Sequence, residues 1–216
     1  MHEPILALEG ALEAFSVALL HDGKLEAESL TNQAALENGL RLVRERLENE
    51  KLGLADLGGI AVGTGPGGFT GLRITLAFAK SLAFAARLPL AGVSSFDILD
   101  AGAHAESRVP RVTVVTGRPG VACMRRTGGE GVRIACGPIA ATLARVTSEG
   151  EEIAIVAATK DVQSAALERG LSVDLIPAGT ELPAATLARL ARMRPPAASI
   201  HEVAPDYGEL PAVKIR

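Results

Sequence analysis

The sequence contains almost no aromatic residues. It has no tryptophan and one tyrosine, and aromatics make up 3% of the chain although 48% of its residues are hydrophobic. The core must therefore be built from aliphatic side chains and alanine. Proteins that bind single-stranded nucleic acid stack bases on aromatic rings, so this scarcity argues against such a platform.

Concentrated positive charge is also missing. The formal net charge is -3, and no basic run is longer than the pair Arg125 and Arg126. Proteins that bind nucleic acid through its phosphates usually carry a basic stripe or patch. We therefore expect contact with RNA only indirectly, through a partner protein.

Cysteine and histidine are scarce. Cys123 and Cys136 lie outside a CxxC motif and fall in two strands predicted to be neighbours. We expect a reduced pair of buried thiols, with a disulfide or redox site as the less favoured alternative. No histidine is spaced with another histidine or with a cysteine as metal ligands are, so the sequence predicts no metal site.

Long uncharged apolar runs are lacking as well. No apolar run reaches the roughly 18 residues needed to cross a bilayer without a charge. Residues 1–4 lead directly into a predicted strand, without the charged and apolar regions of a secretory signal. We therefore expect a cytoplasmic protein without membrane contact.

The hydrophobic periodicity divides the chain into two halves with one order of elements. Each half is predicted to contain three strands, a helix, a strand, a helix, a strand and a helix. The polar segment 106–110 separates lobes at residues 1–106 and 107–216, and the tail after Pro195 is expected to be extended. This order is typical of the duplicated actin-like, or ribonuclease H-like, α/β fold, with a mixed sheet and flanking helices in each lobe.

The most unusual stretch is the glycine-rich loop, Gly63–Arg73, which reads GTGPGGFTGLR. It separates a predicted strand at Gly59–Val62 from a predicted helix at Leu72–Arg87, which Thr70 or Gly71 would cap. Glycine loses more backbone entropy on folding than any other residue, so these glycines indicate positive φ angles or a close approach. An anion at the helix N-terminus and close packing at a lobe boundary both remain open, and we favour packing. Residues that would contact a ligand are Gly63, Thr64, Gly65, Pro66, Gly67, Gly68, Phe69, Thr70, Gly71 and Arg73.

The loop matches the dinucleotide-binding pattern GxGxxG in form only. It follows the fourth predicted strand instead of the first, Pro66 interrupts the turn, and no acid follows the next strand. The GK[ST] sequence of a P-loop is also missing. A nicotinamide or flavin enzyme is therefore disfavoured.

No set of catalytic residues is evident. No serine or cysteine lies in a nucleophile turn such as GxSxG. Asp97 and Asp100 share a helix face, where we expect a helix cap and a solvated charge; a catalytic pair is the lesser alternative. Arg118 is expected at the surface, although it could reach the cleft between the lobes. The sequence therefore predicts no catalytic residue.

The helix predicted at Leu72–Arg87 is apolar on more than one side. Its charges Arg73, Lys80 and Arg87 repeat every seven residues and form one narrow line. A helix that is apolar on two sides must be buried on two sides, so one side can face the sheet while the other requires a second helix or a second protein. With the amphipathic helix before it, the expected partner-contact residues are Leu36, Leu40, Val43, Leu72, Leu76, Phe78, Ala79 and Lys80.

The residues 61–74, AVGTGPGGFTGLRI, and 77–83, AFAKSLA, resemble the TsaB (YeaZ) family of the actin-like (ASKHA) superfamily. Proteins of this family are needed to make N6-threonylcarbamoyladenosine in tRNA. The resemblance also covers 5–8, 15–19 and 91–95, and thus most of residues 5–95, whereas the second half is similar only in element order and length.

The resemblance implies a non-catalytic scaffold or activator of the complex that modifies position 37 of tRNA, with no activity alone. It implies binding to a catalytic, TsaD-like transferase paralogue through helices of the first lobe, and homodimers when the chain is alone. An ATPase, TsaE-like subunit is a further candidate partner. No tightly bound cofactor is expected, and weak binding of ATP or ADP at a subunit interface stays open.

Three departures from the family remove nucleotide or metal chemistry. The first strand ends Glu9-Gly10-Ala11 where the family has Asp-Thr-Ser, and the second lobe has Thr116-Gly117-Arg118 in place of Asp-Ala-Arg. The paired metal-binding histidines that catalytic relatives carry on the first helix are absent. The alternatives are an actin-like ATPase or kinase and a glycoprotease-type peptidase, but the sequence supplies neither a zinc-ligand set nor a nucleophile with its base.

Overall fold

The computed structural model describes residues 1–12, 14–103, 107–129 and 131–208, apart from the side chains at 32, 33, 35 and 36. The first half contains β1 (Ile5–Glu9), β2 (Phe15–His21), β3 (Lys24–Leu30), α1 (Asn32–Asn49), β4 (Gly59–Gly63), α2 (Phe69–Ala86), β5 (Leu90–Val93) and α3 (Ser95–Gly102). The second contains β6 (Arg111–Arg118), β7 (Val121–Thr127), β8 (Arg133–Pro138), α4 (Ile139–Val146), β9 (Glu152–Val156), α5 (Lys160–Glu168), β10 (Ser172–Ile176) and α6 (Pro183–Arg192). The predicted element order is confirmed in both halves.

The described strands form two sheets of one topology. Their orders are β3-β2-β1-β4-β5 and β8-β7-β6-β9-β10, and in each sheet the first three strands are antiparallel while the last two join in parallel. The central strands are almost wholly apolar because helices cover both of their faces. The duplicated actin-like α/β fold is thereby confirmed.

Helix α6 carries the second half of the chain back onto the first sheet. It packs against β1, β2 and β4, where Ala184 and Leu187 are fully buried beside Ala7 and Ala61. The first sheet is therefore covered in part by a helix from the second half of the chain. The predicted lobe boundary at residue 106 lies outside the described residues.

The tail after α6 is extended and packs along the first lobe. The Ala197 N–H donates to the Leu90 carbonyl (2.9 Å), Val203 is buried in the first core, and the Asp206 N–H donates to the Thr64 carbonyl (2.7 Å). The tail thus reaches the glycine-rich loop.

Two local expectations were wrong at helix boundaries. Helix α2 begins at Phe69, with Gly68 as its N-cap, because the Leu72 N–H already donates to the Gly68 carbonyl (2.9 Å). The sequence predicts a helix that starts at the Ser94 and Asp97 capping box and ends near residue 105, but α3 ends at Gly102. Its start is as predicted, since the Ser94 hydroxyl accepts the Asp97 N–H (3.1 Å).

The expectation of reduced thiols was also wrong, because Cys123 and Cys136 form a disulfide. The two residues lie directly opposite each other on β7 and β8, with their Cα atoms 4.1 Å apart. Cross-strand neighbours bring their Cβ atoms to the distance that a disulfide spans. The sequence placed these cysteines on neighbouring strands but did not fix their register.

Among the described residues, α2 is long and apolar enough to cross a membrane by length and composition alone. Six of its residues are buried against the chain's own core. Core helices commonly share this composition.

Candidate functional site

The glycine-rich loop packs tightly against the chain itself. Gly65 has φ +87°, and a Cβ there would collide with the Asp206 carbonyl oxygen of the tail. A Cβ at Gly67 would collide with the Ala11 carbonyl oxygen, which also accepts the Gly68 N–H (2.8 Å). The glycines are therefore required because backbone from two other segments lies against the loop.

The second half of the chain also contacts this loop. A Cβ at Gly117, near the end of β6, would lie 2.7 Å from the Gly67 carbonyl oxygen. The loop thus lies between the β1–β2 turn of the first sheet and the β6–β7 turn of the second. This geometry supports close packing at the junction of the two sheets.

A buried carboxyl group lies beneath the loop. Glu9 is fully buried at the end of β1 and accepts hydrogen bonds from the backbone N–H groups of Ala11 (2.8 Å) and Leu12 (3.1 Å). A Cβ at Gly63 would lie 2.8 Å from its Oε1. Burial raises the pKa of Glu9 to about 7, and the backbone hydrogen bonds oppose that rise.

This arrangement does not fit a nucleotide phosphate. Phosphate sites at helix N-termini offer free N–H groups and cationic side chains. Here the carbonyl oxygens of Ala11 and Asp206 lie against the loop, and the Glu9 carboxyl lies below it. The Arg73 guanidinium instead stacks on the exposed Phe69 ring, 5.1 Å from its centroid.

The corresponding turn of the second half is open. It borders a cavity of about 330 Å³ that is lined by Thr116, Gly117, Arg118, Pro119, Gly120, Ile139, Thr159 and Asp161. Arg118 is exposed and lines this cavity. The expected surface position of Arg118 is therefore confirmed.

Asp97 and Asp100 join the two halves of the chain. Arg125 of β7 donates to Asp97 (2.6 Å) and to Asp100 (2.6 Å), while Arg194 donates to Asp97 (2.8 Å). Burial alone would raise the pKa of Asp97, but the two arginines outweigh it and lower that pKa. The expectation that Asp100 is a solvated charge was wrong, because α3 packs against the second sheet.

The predicted partner-contact residues separate into buried and surface positions. Leu72, Leu76, Ala79 and Val43 are buried in the first core, so the expectation of direct contact with a partner was wrong for them. They lie on the sides of α1 and α2 that cover the sheet. The side chain of Leu36 is not among those that the structure describes.

Phe78 and Lys80 are half-buried. Phe78 packs edge-to-face on Phe15, with ring centroids 6.2 Å apart. A Cβ at Gly39 would lie 2.8 Å from the Phe78 ring, so α1 and α2 approach closely there. Phe78 thus serves mainly to join the two helices to the sheet.

The outer side of these helices forms a surface that we name the α1–α2 face, comprising Leu40, Ala77, Ser81 and Phe84. Phe84 is 74% exposed and Leu40 is 49% exposed, and the small residues Ala77 and Ser81 are also exposed. The small side chains would let another helix approach closely. The sequence predicted that α2 is apolar on more than one side, but Phe84 was not among the expected partner-contact residues. Its seven-residue offset from Ala77, away from the buried positions, was the available signal.

Comparison with known proteins identifies the family. The family model TsaD, tRNA N6-adenosine threonylcarbamoyltransferase, matches residues 29–207. The tRNA threonylcarbamoyladenosine biosynthesis protein TsaB of Escherichia coli is 38% identical over 109 residues, which cover 50% of this chain and 47% of the relative. TsaB of Bacillus subtilis is 33% identical over 103 residues, 46% of this chain and 45% of the relative. The matches thus span about half of the length of these relatives.

A solved structure extends the likeness to nearly the whole chain. YeaZ from Pseudomonas aeruginosa superimposes with a TM-score of 0.66 at 25% identity, covering 94% of this chain and 98% of that chain. The likeness in architecture therefore includes the second half. Together, the family model, the TsaB relatives and this fold show that the chain belongs to the TsaD family and, within it, to the TsaB (YeaZ) group.

Proposed function

We propose that the protein is a non-catalytic scaffold subunit in the synthesis of N6-threonylcarbamoyladenosine at position 37 of tRNA. It binds a catalytic, TsaD-like transferase paralogue and activates it. The observation that carries this proposal is the α1–α2 face, which keeps apolar side chains exposed while the opposite sides of both helices are packed in the core. Contiguous exposed apolar residues are characteristic of protein–protein interfaces.

The composition of the face suits helix-to-helix packing. Ala77 and Ser81 are small, and Phe84 supplies an aromatic side chain of the kind that dominates interface energetics. Because a paralogue of the same fold carries the same pair of helices, the partner offers a surface of matching shape. The same surface would join two copies of this chain when the partner is absent.

The chemistry of the loop supports an accessory role. Glu9 and two backbone carbonyls surround the position where actin-like enzymes hold phosphate, so we expect no tightly bound cofactor. Weak binding of ATP or ADP is expected only at an interface between subunits. An ATPase, TsaE-like subunit is a further proposed partner, tRNA contact is indirect, and the complex is cytoplasmic.

The proposal is tested by mixing the purified chain with the transferase paralogue from the same organism. We expect a complex by calorimetry and an increase in threonylcarbamoyladenosine formed on tRNA. Phe84→Glu should abolish binding because it places a charge in an apolar interface. Leu167→Glu is the matched control, since Leu167 on α5 is 75% exposed but lies outside the face.

Four results would contradict the proposal. The chain and the transferase could fail to bind, or they could bind without a gain in tRNA modification. Equal binding by the two glutamate variants would remove the α1–α2 face as the interface. ATP hydrolysis by the chain alone would instead favour an actin-like enzyme.

A further inference from the structure

The Cys123–Cys136 disulfide lies where three parts of the molecule meet. It joins β7 to β8, and β8 is an edge strand of the second sheet. Cys123 is buried in an apolar cluster with Leu12 and Val115, whereas Cys136 is half-buried. Cys136 is therefore the less enclosed end of the disulfide, and Cys123 is the end that lies in the core.

The tail lies directly over both sulfur atoms. Gly208, at φ +70°, leaves so little room that a Cβ there would collide with the Cys123 sulfur and would lie 2.8 Å from the Cys136 sulfur. The same Cβ would lie 3.3 Å from Pro66 of the glycine-rich loop. Gly208 is thus enclosed by the disulfide on one side and by the loop on the other.

The residues just before Gly208 dock on the first lobe. The Asp206 N–H donates to the Thr64 carbonyl (2.7 Å), and the Tyr207 ring contacts the Phe69 ring with centroids 5.2 Å apart. Phe69 is the first residue of α2. The position of the tail at the disulfide is therefore coupled to the loop and to the start of α2.

Reduction of the disulfide changes the space beneath Gly208. Two non-bonded sulfur atoms must lie roughly 1.5 Å farther apart than bonded ones. The backbone cannot supply this separation, because Cys123 and Cys136 are held opposite each other by the β7–β8 ladder. The inner side is filled by the apolar cluster and Gly208 lies against both sulfurs, so the added separation of the sulfurs presses on Gly208.

We propose that Cys123–Cys136 is a redox-sensitive latch whose reduction releases the tail at 206–208 from the glycine-rich loop. A dithiol supplies the two electrons and two protons. Its thiolate attacks the Cys136 sulfur and the Cys123 thiolate leaves; the second thiol of the reductant then displaces Cys136 and forms the reductant's own disulfide. The products are two protein thiols and one oxidised dithiol.

The proposed cytoplasmic setting makes this exchange relevant. Disulfides in that compartment are usually transient and often redox-sensing. The relevance of this exchange in the cell rests on the proposed function, whereas reduction of the isolated chain depends neither on tRNA nor on a partner. Failure of the latch would therefore leave the scaffold proposal standing.

The single tyrosine makes the latch measurable without a label. The chain has one tyrosine and no tryptophan, so its tyrosine fluorescence reports Tyr207 alone. We expect dithiothreitol to lower the anisotropy of Tyr207 and to speed chymotrypsin cleavage after it severalfold. Thiol titration should rise from zero to two per chain, and far-ultraviolet circular dichroism should stay unchanged because the sheets remain folded.

Two variants separate the latch from other effects of the reductant. Gly208→Ala should release the tail in the oxidised protein, because its Cβ takes the space that the sulfurs occupy. The double variant Cys123→Ala, Cys136→Ala has no sulfur atoms to press on Gly208. We expect its tail to stay docked, and we expect dithiothreitol to leave the fluorescence anisotropy of its Tyr207 unchanged.

Any of five outcomes would overturn the latch. The disulfide could be missing from the purified protein or could resist reduction while the chain is folded. Reduction could leave Tyr207 anisotropy and cleavage unchanged, or could unfold the whole chain. A response of the alanine pair to dithiothreitol would place the effect elsewhere.

Discussion

The two halves of the chain share a sheet topology but differ in the helices that cover it. Helices α1 and α2 each have 18 residues, whereas α4 and α5 have 8 and 9. At 1.5 Å per residue, the longer helices extend about 27 Å and the shorter ones about 12 to 14 Å. The short helices α4 and α5 cover a five-stranded sheet of the same topology. The additional turns of α1 and α2 therefore provide helix surface that is not required to cover the first sheet. Phe84 lies in the last turns of α2.

The two halves also differ in the turn that follows the central strand of each sheet, β1 or β6. The β1–β2 turn is closed over by the glycine-rich loop and encloses Glu9, while the β6–β7 turn borders an open cavity and its Thr116 is exposed. The first half therefore uses this position for packing, and the second half leaves it accessible. The following predictions test this contrast.

The largest losses of stability should come from substitutions in the hydrophobic cores beneath the helices, and they should be similar in the two halves. Leu76 on α2 is 5% exposed and Leu143 on α4 is fully buried. Replacing either by alanine should lower the free energy of unfolding by about 2–5 kcal/mol through lost contacts and a cavity. Urea denaturation measures the change. A cost below that range for Leu76 alone would show that α2 is not a core helix.

Glu9 should make the stability contributed by the first half depend on pH between about 4 and 7. Burial raises its pKa to about 7 in the folded state, against about 4.3 in an unfolded chain. The folded state therefore holds this proton more tightly, so the contribution of Glu9 to stability is fully present below about pH 4 and declines as the pH rises to about 7. The decline should be on the order of 3 kcal/mol.

Glu9→Gln tests this dependence. The glutamine can still accept one backbone hydrogen bond but does not ionise, so the variant should lose that part of the pH slope. The difference in free energy of unfolding between the wild type and the variant, followed from pH 5 to pH 8, isolates Glu9 from the histidines. A constant difference would mean that Glu9 does not titrate in this range.

The two turns should respond unequally to an added methyl group. Gly67→Ala drives a Cβ into the Ala11 carbonyl oxygen and should cost about 3 kcal/mol. Gly120→Ala meets no atom within 4 Å and should cost only about 1 kcal/mol for its positive φ. Thermal unfolding of both variants measures the contrast. Equal costs would show that the loop is not packed as described.

The smallest effects on stability should come from the exposed side chains. Phe84→Ser on α2 and Leu167→Ser on α5 should each change the free energy of unfolding by no more than about 0.5 kcal/mol, as surface substitutions do. Only Phe84→Ser should weaken binding of the transferase. A large loss of stability for Phe84→Ser would mean that this residue packs within the chain.

Local pattern predicted most of the fold because each pattern reflects contacts close in sequence. Asp22-Gly23 is a hairpin signal in the sequence, and both residues have positive φ in the structure. Ser94 and Pro138 are residue types that begin helices, and they are the N-caps of α3 and α4. What the pattern could not supply was pairing between distant residues. The disulfide, the Asp97–Arg125 ion pair and the packing of α6 on the first sheet all depend on register and crossover, which hydrophobic period does not encode.

The same limit applies to the candidate site. The glycines of the loop indicated a close approach, but only the structure identified the approaching segments as the β1–β2 turn, Gly117 and the tail. The apolar character of α2 indicated two covered sides, but only the structure separated Leu76, which is buried, from Phe84, which is exposed.

The sequence by itself determined the element order, the duplicated α/β architecture and the family, because periodicity and the GTGPGGFTGLR motif are properties of neighbouring residues. The tertiary structure alone decided that the glycine-rich loop is a packing junction, that the cysteines are joined, and which face of α2 remains exposed. These features depend on how segments far apart in the chain come into contact, and that contact is set by the packing of the whole fold.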